Sequence, residues 1–215
     1  MAVEIKFCGL TRAQDAAHAG ALGAAYAGVV FAGGPRRIDA GHAAEVLSAA
    51  GSGVKRVGVF GDEEPDEVAR MTRMAGLQVV QLHHHPTPEF ISRVRGETGA
   101  SVWAVVRVSG ATLARDIAEL DSVADAILLD TLLQGRLGGT GVSFDWSILT
   151  PEVRPRSARL VAAGGLTAHN VGEAIRMLAP DIVDVSSGVE SAPGIKDHER
   201  MRAFADAVHS HDQGR

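Results

Sequence analysis

Short apolar runs rich in Val, Ile and Leu recur along the chain at nearly even steps, each followed by a longer stretch with helical spacing. The runs lie at 4–9, 25–31, 54–60, 79–83, 102–108, 126–130, 159–163 and 182–185. The average step is about 25 residues, the length of one strand–loop–helix–loop unit. Most runs are apolar almost throughout, the pattern of strands covered on both faces in a parallel sheet. Helices are expected near 12–22, 39–50, 65–75, 87–97, 111–121, 144–149, 167–178 and 197–209. Several carry start signals: Thr11 before the first, Asp62 or Pro65 at the third, Thr87-Pro88 at the fourth, Thr167 at the seventh. Eight such units with no segment left over fit an α/β fold, a single (β/α)8 TIM barrel with eight parallel strands, residues 1–215 forming one domain. The rival is an open doubly wound sheet, which places its Gly-rich phosphate loop after the first strand. Here that strand ends in Cys8-Gly9-Leu10-Thr11, and the Gly-rich loops come late.

Composition removes other classes. With 46% hydrophobic residues and a formal net charge of −5, the chain has enough apolar material for a core and is not of disordered type. Lys and Arg are scattered, so nucleic acid, which needs clustered cations, is not an expected partner. The single cysteine forbids an intramolecular disulfide, and residues 1–6 lack the basic and apolar regions of a signal peptide. The uncharged stretch 16–35 is mostly Ala and Gly, whereas a membrane span needs about twenty predominantly large apolar residues. A cytoplasmic protein with a small-molecule partner and no membrane contact is expected, as a monomer or a homodimer.

In a (β/α)8 barrel the chemistry sits at the C-terminal ends of the strands. Those ends supply Cys8, Arg36 or Arg37, His83, Asp130 and two late loops, Ala163-Gly164-Gly165-Leu166-Thr167 and Ser186-Ser187-Gly188-Val189. Loops after the seventh and eighth strands commonly cradle phosphate on backbone N–H groups, which glycine allows to approach an anion closely. The bland alternative is a set of tight turns. A third loop, Gly138-Gly139-Thr140-Gly141, could close over the same ligand. The two-residue strand period puts Lys6 on the face of Cys8. That matters because an unperturbed thiol near pKa 8.5 is only about 3% thiolate at pH 7, so a thiol base needs help. Otherwise Cys8 is a small core hydrophobe. An aspartate closing the apolar run Ala126-Ile127-Leu128-Leu129 is costly to bury as a charge, which favours a protonated carboxyl fit to act as an acid. Otherwise Asp130 is a surface residue opening a loop. Of His83-His84-His85, consecutive strand residues point to opposite faces, so at most two could share a centre. No metal is expected, and His83 is read as a ligand-facing hydrogen-bonding group.

Taken together, Lys6-Phe7-Cys8-Gly9-Leu10-Thr11, Val80-Gln81-Leu82-His83, Leu128-Leu129-Asp130-Thr131, Gly138-Gly139-Thr140-Gly141, Ala163-Gly164-Gly165-Leu166 and Val183-Asp184-Val185-Ser186-Ser187-Gly188-Val189-Glu190 resemble, in order, the phosphoribosylanthranilate isomerase family. The resemblance covers essentially the whole chain. It implies a cofactor-free Amadori rearrangement of N-(5-phosphoribosyl)anthranilate to 1-(2-carboxyphenylamino)-1-deoxyribulose 5-phosphate in tryptophan biosynthesis. It also implies Cys8 as general base and Asp130 as general acid. Arg36 would meet the anthranilate carboxylate. His83, Gly139, Gly141, Gly164, Gly165, Ser186, Ser187 and Gly188 would complete the substrate site, with phosphate on the loops after the seventh and eighth strands. Two departures stand: His84 and His85 follow His83 where the family has Gly, opening another path for that loop, and Gly34 replaces Ser before Pro35. Competing readings are a barrel that binds a phosphorylated ligand without catalysis and an isomerase of the histidine-pathway aminoaldose. The latter normally carries a carboxylate where Cys8 stands. A Schiff-base aldolase would need a lysine at the end of the sixth strand, and the lysines are Lys6, Lys55 and Lys196.

Overall fold

A computed structural model of the chain describes residues 2–84, 87–109, 112–113, 117–131 and 157–212. Within them, eight parallel strands close a barrel: β1 (Glu4–Phe7), β2 (Tyr26–Val30), β3 (Lys55–Phe60), β4 (Val79–Leu82), β5 (Ser101–Ser109) and, past a short β6 (Thr112–Leu113), β7 (Ala126–Thr131), β8 (Arg159–Ala163) and β9 (Ile182–Val185). The pairing order is β4-β3-β2-β1-β9-β8-β7-β5, and β4 pairs with β5 to complete the ring. Around it lie α1 (Ala13–Ala21), α2 (Ala40–Ser48), α3 (Pro65–Ala75), α4 (Pro88–Thr98), α5 (Ile117–Asp121), α6 (Val171–Leu178) and α7 (His198–Asp212). After β9, a 3-10 turn (Ser187–Val189) leads into an antiparallel hairpin of β10 (Glu190–Ala192) and β11 (Ile195–Lys196). Among the described residues no helix is long and apolar enough to cross a membrane.

The helix starts follow from local chemistry. Asp39 caps α2 by accepting from His42 N at 2.9 Å, and Thr87 caps α4 by accepting from Phe90 N at 3.2 Å. Pro65 and Pro88 occupy the first turns of α3 and α4, where a missing N–H costs nothing. Three expectations shift. The helix expected over 111–121 is confined to α5, because Thr112 and Leu113 fold back antiparallel on Ser109 and Val108. The helix expected from Thr167 begins at Val171, because Asn170 Oδ1 accepts from Thr167 N at 2.7 Å and holds 167–170 as a turn. The first strand stops at Phe7, so Cys8 lies just past its end. The helix expected over 144–149 lies outside the described residues.

Strand alternation divides the core into two layers. Phe7, Val29, Val80, Val106, Leu129 and Val183 face the helices. Val57, Val79, Trp103, Leu128, Val161 and Ile182 fill the barrel interior. At the N-terminal end of the barrel Tyr26 and Trp103 meet edge to face at 4.9 Å. Arg159 Nη1 there donates to Tyr26 Oη and Glu4 Oε2, both at 2.8 Å. Two residues further along the same inward rows the character changes. Val79 is followed by Gln81, Val105 by Arg107, Leu128 by Asp130 and Ile182 by Asp184, while Lys6 takes the inward place between Ile5 and Phe7. The interior is therefore apolar below and polar above.

Gly20 lets α1 close on the end of α2: a Cβ there would overlap the Ala50 carbonyl oxygen. Gly20→Ala, which in an exposed helix would gain about 1 kcal/mol, should instead lower stability by about 1–3 kcal/mol. Urea unfolding followed by circular dichroism would measure it, and an unchanged or raised midpoint would refute this packing.

Candidate active site

Cys8 is carried into the rim by the end of β1, where its N–H donates to Val185 O at 2.9 Å. Gly9 follows with φ of 71°, a left-handed turn that favours glycine. A Cβ on Gly9 would stand 2.6 Å from Arg36 Cδ and 3.0 Å from Ser186 Oγ, so this turn, the loop after β2 and the loop after β9 are packed together. The Cys8 sulfur looks across to Gly28 on β2, where a Cβ would lie 3.4 Å from the sulfur and 3.2 Å from Lys6 Cε.

Lys6, Asp184, Lys196 and Arg36 surround this thiol, and Glu190 joins two of them. Lys6, fully enclosed, donates to Asp184 Oδ2 at 2.7 Å. Lys196 Nζ reaches Glu190 Oε1 at 2.8 Å and Ser186 O at 3.1 Å. Arg36 grips the same Glu190 through Nε at 2.8 Å and Nη2 at 2.6 Å, the parallel two-bond geometry of a guanidinium on a carboxylate. Glu190 therefore joins two cations, and they hold it below the ordinary carboxylate range although burial pushes the other way. Burial pushes the Cys8 thiol up, Lys6 draws it down, and Asp184 and Lys196 act up and down respectively. The cations are in place, yet loss of solvent outweighs them, and the net push on the Cys8 thiol is upward.

Asp130 ends the inward row of β7, with its carboxyl partly exposed. His83 Nε2 stands 3.5 Å from Asp130 Oδ2, and Arg107 Nη2 stands 3.4 Å from His83 Nδ1. A guanidinium only donates, so Nδ1 is the accepting nitrogen and Nε2 carries the hydrogen that faces Asp130. Asp184 links the two halves of the rim. Burial pushes its carboxyl up, Lys6 pulls against that, and Asp130 adds a smaller upward push. Asp184 thus pushes on the thiol, and Asp130 pushes on Asp184.

The late loops lie side by side. Gly164 and Gly165 adopt φ of 90° and 64°, and a Cβ on Gly188 would overlap the Leu166 carbonyl oxygen. Ser186 and Ser187 lead into the 3-10 turn facing that contact. Gly139 and Gly141 lie outside the described residues. His84 turns to the neighbouring loop, its Nδ1 2.6 Å from Asp62 Oδ1, and among the described residues no group of acidic, His or Cys side chains could hold a metal ion. Sequence reading passed over Asp184, Glu190, Lys196 and Arg107 as site members. Asp184 and Arg107 had a signal, each being a lone charge inside an otherwise apolar strand.

The closed parallel barrel with its polar groups gathered at the strand C-termini defines a (β/α)8-barrel enzyme. The family model for N-(5'-phosphoribosyl)anthranilate isomerase matches residues 5–207, and the chain belongs to that family. The N-(5'-phosphoribosyl)anthranilate isomerase of Ralstonia nicotianae is 40% identical to it over 97% of this chain and 93% of the relative. The crystal structure of phosphoribosyl anthranilate isomerase from Thermotoga maritima superposes with a TM-score of 0.85 at 36% identity, covering 97% of this chain and 99% of that one. A phosphoribosyl anthranilate isomerase in complex with reduced 1-(o-carboxyphenylamino)-1-deoxyribulose 5-phosphate gives a TM-score of 0.82 at 34% identity, covering 97% and 99%.

Because the folded protein holds Glu190 below its ordinary value of 4.5, its ion pairs stabilise the fold above that pH and are lost as pH falls through the lowered value. Glu190→Gln should therefore be less stable than the parent at neutral pH, with the difference shrinking on acidification. Urea midpoints measured down through the carboxylate range would show it, and a difference independent of pH would refute it.

Proposed function

We propose that this chain converts N-(5-phosphoribosyl)anthranilate to 1-(2-carboxyphenylamino)-1-deoxyribulose 5-phosphate by acid–base catalysis, as a step of tryptophan biosynthesis. The observation that carries the reading is the pair Cys8 and Asp130, the first just past the end of β1 and the second next to the end of β7, so that both stand at the C-terminal rim of the barrel. Asp130 gives a proton to the furanose ring oxygen as the C1′–O bond breaks and the anilino nitrogen lone pair forms the C1′=N bond. Cys8, as thiolate, removes the C2′ proton, and the electrons move onto nitrogen to leave an enolamine. Protonation at C1′ and loss of the C2′ hydroxyl proton complete the ketone. Reactant and product are isomers, so the step needs no co-reactant. A thiol pushed up by burial is a scarce thiolate but a strong base once formed.

Gly164, Gly165, Ser186, Ser187 and Gly188 would take the phosphate on backbone N–H groups and hydroxyls, supported by the close packing of the two loops and their left-handed glycines. Gly139 and Gly141 would cover the same ligand from the loop after the sixth barrel strand. Arg36 uses Nε and Nη2 on Glu190, which leaves Nη1 to meet the anthranilate carboxylate. His83, holding its hydrogen on Nε2, would steady Asp130. We further place the protein in the cytoplasm, as one domain, acting alone or as a homodimer.

Adding phosphoribosylanthranilate to purified protein should extinguish the substrate's fluorescence as product forms. No change at micromolar enzyme would favour a barrel that binds without turning over. Cys8→Ala and Asp130→Asn should each cut turnover by about two to four powers of ten with the fold kept by circular dichroism. Near-parental turnover in either would strip that residue of its role. Asp130→Asn should still bind the phosphorylated product, and loss of binding would assign Asp130 a structural part instead.

A further inference from the structure

Lys6 is an expensive residue for the place it occupies. It is fully enclosed, its partner Asp184 is 8% exposed, and they face each other across the β1–β9 ladder at 2.7 Å. Burying an ion pair costs several kcal/mol per ion in desolvation, and apolar residues of the same size commonly do as well or better for stability. Barrel stability therefore does not explain the pair. Enclosure also denies Lys6 contact with a substrate, so any part it plays in the reaction runs through a neighbour.

That neighbour is Cys8. With no side chain at Gly28, the Lys6 stem and the Cys8 sulfur share one notch: a Cβ at 28 would be 3.2 Å from Lys6 Cε and 3.4 Å from the sulfur. An ammonium carries three donors, and Asp184 Oδ2 occupies one of them. The other charges around the thiol are committed differently. Lys196 on β11 and Arg36 on the loop after β2 are both bound to Glu190 on β10, and Asp184 on β9 repels a thiolate. Of these groups Lys6 has the strongest favourable action on the thiolate, opposing the burial that disfavours it.

We propose that Lys6 is the positioning residue of the Cys8 base: its ammonium, held in place by Asp184, stabilises the thiolate, and Asp184 sets how strongly by sharing that charge. This rests on the assignment of Cys8 as base made above. It divides the rim into a cation that touches no substrate and a sulfur that does.

The test reads the thiol directly. The chain has one cysteine and one tyrosine, and burial, outweighing Arg159, pushes Tyr26 up to about 12. The far-ultraviolet absorbance of thiolate, titrated on the full chain below that pH, therefore reports Cys8 alone, with Cys8→Ala as blank. Asp184→Asn should lower the thiolate midpoint by about one pH unit, tenfold more thiolate at a given pH, and Lys6→Met should raise it by at least about as much. Lys6→Met leaves Asp184 buried without its partner and is at risk of misfolding. The double variant Lys6→Met/Asp184→Asn removes both charges and avoids that penalty. Its midpoint should lie well above that of Asp184→Asn. If the double variant titrates with Asp184→Asn, Lys6 contributes nothing to the thiolate and the proposal falls. In turnover, Lys6→Met or the double variant should lose kcat tenfold or more with KM within about twofold, since Lys6 touches no substrate. A raised KM with unchanged kcat would overturn the assignment. Failure of the base assignment is distinguished separately: Cys8→Ala would then retain turnover whatever the titrations show.

Discussion

The closed ring of parallel strands governs everything else in this molecule. Once β4 pairs with β5, each strand has only two faces to offer, and successive residues alternate between them. A residue facing inward has no exit except along the barrel axis. Near the N-terminal end that axis is filled by apolar side chains and sealed by Tyr26, Trp103 and Arg159. Polar side chains on the same rows are tolerable only near the other end, where the barrel opens. Lys6, Asp130 and Asp184 are therefore brought together by register rather than by loop conformation.

The charges at that opening are arranged in linked pairs. Lys6 answers Asp184, while Arg36 and Lys196 both answer Glu190. The second set is held by further anchors. Lys196 N donates to Asp15, a buried carboxylate on α1 that also takes two bonds from Arg12 and one from His198 on α7. His198 in turn stacks on His18 at 4.1 Å. The hairpin of β10 and β11 is thus tied to the first helix and the last one at once, which fixes the height at which Lys196 meets Glu190.

Much of this was legible beforehand, and the reasons differ by residue. The barrel followed from the even spacing of apolar runs, because a parallel strand buried on both faces leaves no other composition. Cys8, Asp130 and the Gly/Ser loops followed from polar residues interrupting those runs at one end. Lys6 was foreseen on the face of Cys8 from the two-residue period alone. Asp184 and Glu190 escaped because their importance lies in partners distant in sequence: Asp184 meets Lys6 178 residues away, and Glu190 meets Arg36 154 residues away. The start of α6 escaped because the Asn170 side chain captured the Thr167 N–H, a local competition that helical periodicity does not register. The upward push on the thiol escaped for a physical reason as well. A cation nearby argues for thiolate, and only the depth of burial decides whether that argument prevails.

The Lys6–Asp184 contact spans 178 residues of chain. During synthesis, Lys6 emerges 178 residues ahead of the carboxylate that belongs beside it. Until β9 arrives to close against β1, a bare ammonium and an unguarded thiol lie on an open sheet edge, in an environment unlike the one in which they end. Closure of the ring and completion of the rim are therefore one event, and a nascent chain surrounds Cys8 with its charged neighbours only when the β1–β9 pairing forms.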